Sequence, residues 1–243
     1  MTNAERLAGI VISPSRTFED INSRPSWVIP FVLLLIFNVA ITFVAYRVLV
    51  TPSNFERVAT AKVQWDASAA GKKLTPADVQ QQIDAIRRVR ERWHTLPLYA
   101  VLVSTLALSA FFFVVLRLAG TETTFGKVFS VVCWAFVIYR CIGGSFTLIA
   151  LLVHGSANFV PAPAEAWSPT SLAQVVARNS VGPNVYSAIS KLDIFLLWWL
   201  AILAIGFAKI SKNLSLTRSA VMVAGSEVLY LFANAAGWLP GAS

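Results

Sequence analysis

Residues 97–118 read PLYAVLVSTLALSAFFFVVLRL, and no charged side chain occurs in this stretch before Arg117. A bilayer core about 30 Å thick requires roughly 20 predominantly apolar residues in an α-helix. The stretch therefore predicts a helix that spans a membrane, and this prediction determines how the rest of the chain is interpreted.

Apolar segments of similar length occur on both sides of this stretch. Four of them predict further spans: residues 27–50, 127–153, 192–210 and 217–238. The segment 127–153 is interrupted by Arg140 and by the pair Gly143-Gly144, where a kink or tilt is expected. The last segment contains Glu227 and is the least apolar. The sequence thus predicts an all-α, polytopic transmembrane helical bundle of about five spans.

The composition supports a membrane location. Apolar residues make up 56% of the chain and charged residues 13%, with a mean hydropathy of +0.66, whereas soluble domains carry about 25% charged residues. The net charge of +8 suits anionic lipid headgroups. No helix-turn-helix, RNA-binding or zinc pattern accompanies this charge, so the expected partner is the lipid bilayer and not a nucleic acid.

Residues 1–26 precede the first span and predict short interfacial helices. Thr2 and Glu5 have the spacing of a capping box, and an amphipathic helical pattern follows them. Ser13-Pro14 predicts the start of a second helical turn, with Phe18 and Ile21 on one side. Amphipathic helices of this kind commonly lie in the plane of the membrane interface.

Two extramembrane segments, residues 51–95 and 154–191, are expected within the membrane domain 27–243. In the first, Thr75-Pro76 predicts a helix start, and the arginines of this helix are Arg87, Arg88, Arg90 and Arg92. This basic helix either docks on anionic lipid or a partner, or is a solvated helix that leads into the second span. In the other segment, residues 169–179 predict a short helix with Leu172, Val175 and Val176 directed inward.

Three polar residues are predicted to lie at bilayer depth. Arg140 and Glu227 fall near the middle of the third and fifth spans, which run in the same direction, and Asn38 falls near the middle of the first. A charged side chain at this depth costs roughly 2.5–3.5 kcal/mol on the insertion scale and needs a partner. We expect Arg140 and Glu227 to pair, with Asn38 nearby, either as a structural clamp or as a functional polar site.

Other residues provide no sign of an enzyme. Asp193 stands at the start of the fourth span and suits its N-terminus as a cap. Neither histidine has a second histidine at metal-binding spacing, and no nucleophile elbow, phosphate loop or dinucleotide fingerprint occurs. Cys133 and Cys141 lie about 12 Å apart along one helix, too far for a disulfide with each other. We therefore expect no cofactor and no catalytic residue.

Two phrases of the sequence are similar to a known family. The first is Ser13-Pro14, Thr17-Phe18, Ile21, Pro25, Trp27 and Pro30, and the second is Asp193, Phe195, Trp198 and Gly206 in the fourth span. Together they resemble the Yip (Ypt-interacting protein) domain family, particularly its short bacterial members. This resemblance implies five spans, a cytoplasmic N-terminus and an external C-terminus. Eukaryotic relatives are linked to Rab-type GTPases and membrane traffic, but their N-terminal regions are much longer.

Two functional hypotheses follow. The first is a non-enzymatic integral membrane protein that acts as a scaffold, a partner-binding module or a membrane-organising module. Its partners would be another membrane or cytoplasmic protein, or a second copy of the chain. The alternative is a small transporter or channel that uses Arg140 and Glu227. The expected location is the cytoplasmic (inner) membrane of a bacterium, with the N-terminus in the cytoplasm.

Overall fold

The computed structural model describes residues 1–91, 96–155, 164–178, 180–236 and 238. Every regular element in these residues is helical, which confirms the all-α prediction. The α-helices are α1 (Asn3–Ile12), α2 (Pro14–Ser23), α3 (Val28–Val44), α4 (Phe55–Ala69), α5 (Pro76–Glu91), α6 (Leu96–Leu118), α7 (Phe125–Phe136), α8 (Gly144–His154), α9 (Pro183–Ser190), α10 (Ile194–Ile210) and α11 (Leu216–Ala235).

Two of the long apolar helices contain π-helical segments. Ala45–Leu49 extends α3, and Val137–Gly143 joins α7 to α8. The sequence predicts a kink at Gly143-Gly144, and the irregular segment ends at this pair. A π-helical turn widens the hydrogen-bonding pattern locally and is frequent at functional sites. The irregularity is therefore a change in helix type, and the π-helical segment carries Arg140 three residues before Gly143.

Four helical stretches of the described chain are long and apolar enough to cross a membrane. They are Val28–Leu49, Leu98–Leu118, Phe125–His154 and Leu216–Ala235. A fifth candidate is formed by α9 and α10, which are bent by 62° relative to each other. Taken alone, α10 has 17 residues, the lower limit for a span. The chain is thus a multi-pass membrane protein.

The turn that follows α10 indicates the direction of this helix. The backbone N–H of Lys212 donates to the carbonyl of Glu122 at 3.3 Å, and the two side chains form an ion pair at 3.0 Å. Asn213 has a φ of 62°, which asparagine tolerates in a tight turn. Because Glu122 immediately precedes the span Phe125–His154, the end of α10 lies where that span begins. This geometry is consistent with a crossing by α10, which would bring the four spans to five.

The described chain separates into two compact units. Unit 1 comprises Met1–Asn38, Pro97–Gly143 and Phe195–Glu227, and unit 2 comprises Val39–Leu96, Gly144–Ile194 and Val228–Ser243.

In unit 1, α7 is the most completely buried helix. All its residues from Val128 to Phe136 are buried, as expected for a helix that is apolar on every side and surrounded by others. Ile202, Leu203 and Phe207 of α10 are also buried, and the ring of Phe112 on α6 lies 4.9 Å from that of Phe207.

Unit 2 contains a helical hairpin made of α4 and α5. Its core consists of Phe55, Ala59, Val63 and Ile83. The sequence predicts α5 correctly, including its start at Pro76, where Thr75 and Asp78 exchange hydrogen bonds. It does not predict α4, although Phe55, Ala59 and Val63 repeat at the spacing of one helical face.

The two segments that are predicted to lie outside the membrane fold together in unit 2. The ring of Trp65 on α4 packs edge-on against Tyr186 of α9 at 5.8 Å, and the guanidinium of Arg178 lies 4.1 Å from the centre of the Trp65 ring. The amide of Asn184 donates to the carbonyl of Ala69 at 3.0 Å. Residues far apart in sequence thus form one packed structure within unit 2.

The predicted helix at 169–179 is wrong. In its described part, 169–178, the structure has one short 3-10 helix, Leu172–Gln174, and Leu172 and Val175 are 49% and 82% exposed instead of directed inward. Side chains compete here with helical hydrogen bonds. Ser171 accepts from the Ala173 N–H, and Gln174 donates to the carbonyls of Ala166 and Ser168.

Candidate functional site

The N-terminal helices α1 and α2 form a close pair in unit 1. The predicted capping box is confirmed, since Thr2 and Glu5 exchange side-chain and backbone hydrogen bonds. The predicted start of α2 after Ser13 is also confirmed. Phe18 and Ile21 are both fully buried. The apolar face of α2 is therefore covered by protein within unit 1.

Gly206 on α10 makes room for Phe18. A Cβ atom at this position would stand 2.5 Å from Cγ1 of Val131 and 3.1 Å from Cζ of Phe18. Any side chain larger than a hydrogen would displace α7 or α2. This close approach explains why glycine is present at position 206. It also shows that the two stretches that carry the family resemblance are neighbours in the fold, because Phe18 belongs to the first and Gly206 to the second.

The link between α2 and the first span is also attached to α7. The indole N–H of Trp134 donates to the carbonyl of Ser26 at 2.8 Å, and the ring of Trp27 packs edge-on against Phe129 at 5.4 Å. Trp134 is fully buried, so this hydrogen bond satisfies a donor that would otherwise be costly to bury. The entry to α3 is thus fixed in place.

A buried arginine is the polar centre of the N-terminal pair. Arg6 is only 4% exposed, and its Nε donates to Oδ2 of Asp20 at 2.6 Å. Its two other nitrogens donate to Oγ of Ser26 and to the carbonyl of Arg24. The sequence shows Arg6 only as part of the positive charge. Its role depends on contacts between separate elements, so no spacing rule within one helix would have identified it.

The carboxyl of Asp20 receives bonds from two cations. The N-terminal ammonium of Met1 donates to its Oδ1 at 3.1 Å, and Arg6 occupies Oδ2. Burial by itself would raise the pKa of Asp20, but these hydrogen bonds and charges outweigh it and lower the pKa below the ordinary aspartate value. Asp20 is therefore ionised at neutral pH, and the ion pair connects α1 to α2.

Further polar contacts attach α2 to the membrane helices of unit 1. Nζ of Lys209 at the end of α10 lies 2.6 Å from Oε1 of Glu19. Nζ of Lys127 on α7 donates to Oδ1 of Asn22 at 2.6 Å. We call α1, α2 and the connecting residues up to Ser26 the N-terminal platform. Apolar contacts at its centre and polar contacts around its edge therefore hold this platform in place.

The predicted intramembrane site also lies in unit 1. Arg140 is half-buried within the π-helical segment Val137–Gly143. Its guanidinium lies 3.3 Å from Oγ of Ser104 on α6 and 4.8 Å from the centre of the Phe136 ring. The contact with Ser104 joins α6 to the third span.

Glu227 and Asn38 are the other predicted members of this site, and both are half-buried in unit 1. The side-chain amide of Asn38 donates to the carbonyl of Leu34 one turn earlier, at 2.9 Å. Pairing of Arg140 with Glu227 stays a prediction.

The hydroxyl groups of α6 and α11 bond to backbone carbonyls. Thr105 and Ser109, both fully buried, donate to the carbonyls of Val101 and Thr105 at 2.7 and 2.6 Å. Ser219 on α11 donates to the carbonyl of Ala204 on α10 at 2.8 Å. These contacts stabilise helices and their packing and direct the hydroxyls toward protein.

The predicted motif of the fourth span occupies the start and the middle of α10. Phe195 is buried, and its Cβ and Cγ would stand 3.0 Å from a Cβ atom at Gly143. Trp198 is half-buried, and Asp193 immediately precedes the helix. Phe195 and Gly206 thus have packing roles in unit 1, whereas capping by Asp193 stays a prediction.

A comparison with known families identifies the family of this chain. The sequence model of the Yip1 domain matches residues 8–237, nearly the whole chain. The chain belongs to the Yip1 domain family. No curated protein and no solved structure matches it. The matched range includes Phe18, Gly206 and Arg140, whereas the first residues of the platform, including Arg6, precede it.

The basic helix of this Yip1 domain is partly engaged by its own hairpin. Arg87 on α5 contacts Glu56 on α4 and lies 3.6 Å from Asp84. Arg88 is exposed, the side chain of Arg90 lies outside the described part, and Arg92 lies outside the described residues. Arg87 therefore stabilises the hairpin, and docking of the basic helix on lipid or a partner stays a prediction.

Proposed function

We propose that this Yip1 domain protein is a non-enzymatic membrane module that organises partners around its N-terminal platform. The observation that carries the proposal is the way the platform is held. Phe18 fills the space above Gly206, and Arg6 is buried in contact with Asp20. A segment fixed on both sides in this way presents a constant surface, as binding modules require.

The proposed side of the membrane is the cytoplasm, at the inner membrane of a bacterium. Unit 1 carries the platform and the turns near it, and basic residues cluster there. They are Arg6, Arg16, Arg24, Arg117, Lys127, Lys209, Lys212 and Arg218. Positive charge near span ends favours the cytoplasmic side, but the basic segment 51–95 would then lie on the other side, so charge alone does not decide the orientation. The family resemblance implies a cytoplasmic N-terminus and supports this proposal.

The end of α1 supplies the contact surface of the platform. Ile12 is 80% exposed and Val11 is 40% exposed, although the other side of α1 buries Arg6 and Ile10. An aliphatic pair at the tip of a fixed helix suits an apolar groove on a protein or the upper part of the bilayer. Both occupants agree with an organising role.

Photo-crosslinking from Ile12 tests the proposal in native membranes. A photoreactive amino acid replaces Ile12 in the full chain, and the control places it at Gln82, an exposed position on α5. We expect discrete protein adducts or lipid adducts at residue 12 that are absent at residue 82. In the variant Arg6→Gln the platform loosens, and we expect the yield at residue 12 to fall several-fold.

The outcome of this experiment is decisive in both directions. An adduct with a second copy of the chain, with one other protein or with lipid supports a partner-binding or membrane-organising role. Equal and diffuse labelling from positions 12 and 82, unaffected by Arg6→Gln, would show that the platform presents no defined surface.

A transporter or channel is the second candidate, and one observation favours it. Arg140 lies in a π-helical segment of a long apolar span, half-buried and in contact with Ser104. Irregular turns with a charged residue at membrane depth are typical of ion and substrate pathways. The hydroxyl groups of Thr105 and Ser109, however, are turned toward backbone carbonyls, which favours the organising role.

Flux measurements distinguish the two candidates. Purified protein in liposomes is tested for proton and ion flux, together with Glu227→Gln and, as a matched control, Glu122→Gln in the turn before α7. A flux that Glu227→Gln abolishes and Glu122→Gln preserves would establish the transporter and overturn the organising module. Absence of flux with folded protein supports the organising module.

A further inference from the structure

Three separate stretches of the chain meet at one end of unit 1. They are residues 1–26, 117–127 and 209–218, which contain the N-terminal platform and the turns that connect the membrane helices. Three polar contacts join these stretches: Glu19 with Lys209, Lys127 with Asn22, and Glu122 with Lys212. We call the three stretches together the basic end.

Positive charge is left uncompensated at the basic end. It contains twice as many lysine and arginine residues as aspartate and glutamate residues. Its carboxylates are already engaged, because Glu5 belongs to the capping box of α1 and the others form ion pairs. Among the described residues, no carboxylate forms an ion pair with the remaining cations, which are Arg16, Arg24, Arg117, Lys127 and Arg218.

Arg117 lies at the exposed surface of a spanning helix. It is exposed in the last turn of the span Leu98–Leu118. Val114, one turn earlier on the same helical face, is 54% exposed, and the neighbouring Leu118 is 83% exposed. Exposed apolar side chains along a span contact acyl chains, and a cation at the end of the span reaches the headgroup level. Arg117 therefore lies where an acyl chain meets its phosphate.

Arg218 has a similar position on α11. It is exposed in the first turn of the span Leu216–Ala235, and Val221, one turn later on the same face, is 67% exposed. The positive end of the helix dipole lies at this turn and disfavours a cation. The electrostatics of α11 itself thus do not account for an arginine here, whereas a negative group outside the chain would stabilise it.

Two properties of the basic end select a lipid over another protein chain. A second copy of this chain would bring the same uncompensated cations together, and like charges repel. The phosphates of a bilayer lie at the level of the terminal turns of its spans, which is where Arg117 and Arg218 are. One lipid molecule can bind an arginine through its phosphate and cover Val114 or Val221 with its acyl chain.

We propose that the basic end of unit 1 binds anionic phospholipids, with lipid phosphates on Arg117 and Arg218 and acyl chains along Val114 and Val221. Arg16 and Arg24 of the platform add to the positive potential that attracts these headgroups. The ligand is a phospholipid of net negative charge, such as phosphatidylglycerol. This inference goes beyond the organising role and does not depend on it, since it concerns the lipid neighbours of α6 and α11.

Spin-labelled lipids measure this selectivity. The full chain is reconstituted in phosphatidylcholine vesicles with a trace of phosphatidylglycerol or phosphatidylcholine that carries a nitroxide on its acyl chain. The fraction of each labelled lipid that is immobilised by the protein gives their relative association constant. We expect the parent to bind phosphatidylglycerol several-fold more strongly than phosphatidylcholine, and the double variant Arg117→Gln/Arg218→Gln to lose most of this preference.

Two further variants control for charge and for folding. Lys72→Gln/Lys73→Gln removes the same charge from the exposed turn between α4 and α5 and should retain the parent's selectivity. Arg117→Lys/Arg218→Lys keeps both charges and should also retain it, which separates the loss of charge from a change in the fold.

Three results would overturn the lipid site. The parent could bind the two lipids equally, or Arg117→Gln/Arg218→Gln could keep the full preference for phosphatidylglycerol. The third is an acidic protein that co-purifies with the parent and is lost in this variant while the lipid preference is unchanged, which would assign the basic end to a protein partner.

Discussion

The packing at Gly206 shows how one missing side chain positions two helices. A methyl group at this position would come 2.5 Å from Val131 and 3.1 Å from Phe18. The sequence identifies Gly206 only through a family resemblance, since glycine occurs in many membrane helices for other reasons. Its contact with α2, nearly two hundred residues earlier, is a property of the folded chain.

We expect Gly206→Ala to destabilise the protein. The added methyl group overpacks the contact between α10, α7 and α2, which costs about 1–3 kcal/mol. The measurement is the midpoint of thermal unfolding in detergent. Gly225→Ala on α11 is the matched control, because a Cβ atom there meets nothing within 4 Å. Equal midpoints for the two variants would contradict the close packing at Gly206.

The ion pair of Arg6 and Asp20 should make the platform sensitive to acid. The folded pKa of Asp20 is lowered, so this pair contributes stability above the unfolded pKa of about 3.9, and the contribution is lost as the pH falls through the folded pKa. We expect the contribution to be constant from pH 5 to pH 8 and to disappear below about pH 4.

The variant Asp20→Asn isolates this effect. Loss of a charge-assisted hydrogen bond to the buried Arg6 should cost about 2 kcal/mol at pH 7. The difference in thermal midpoint between parent and variant should shrink as the pH is lowered below 4. Gln82→Ala, an exposed substitution on α5 that changes no titratable group, is the control. A difference between parent and Asp20→Asn that stays constant down to pH 3 would rule out the titration of Asp20.

At the scale of elements, predictability follows the strength of local periodicity. The long apolar helices and α5 are evident because hydrophobicity and capping residues agree along the chain. α4 is weaker, since its inward face includes the small Ala59 beside Phe55 and Val63. The turn at 171–176 is mispredicted because Leu172 and Val175 have helical spacing, whereas Ser171 and Gln174 direct the backbone into other hydrogen bonds.

The hairpin of α4 and α5 should depend on Ile83. This residue is 3% exposed and packs on Phe55, Ala59 and Val63 of the hairpin core. Ile83→Ala removes several buried methyl and methylene groups, at a cost of about 2–5 kcal/mol. We expect amide hydrogen exchange to rise throughout α4 and α5 and to remain unchanged in α7.

Gln82→Ala is the matched control for this hairpin, since Gln82 is the exposed neighbour of Ile83 on α5. Its exchange should match that of the parent. If Ile83→Ala accelerated exchange only at residues adjacent to the substitution, α4 and α5 would not form one cooperative unit.

At the scale of the whole molecule, the sequence predicts five spans, but the status of α10 depends on tertiary contacts. Length and composition alone identify four stretches and one bent pair. The ion pair between Lys212 and Glu122 supplies the missing information. This ion pair connects the end of α10 to the turn that precedes the span Phe125–His154. This contact favours five spans, the upper number that the described helices allow.

Cysteine labelling in intact cells tests this topology. In the variant without Cys133 and Cys141, single cysteines replace Ser15, Gln82, Lys212 and Trp238, which are all exposed. If α10 crosses the membrane, positions 15 and 212 share one side, and positions 82 and 238 share the other. A membrane-impermeant maleimide should therefore label 82 and 238 in intact cells, and 15 and 212 only after permeabilisation. If α10 does not cross, position 212 reacts together with 82, and position 238 is protected together with 15. Because each pair is compared within one orientation, the result decides the number of crossings whichever side is cytoplasmic.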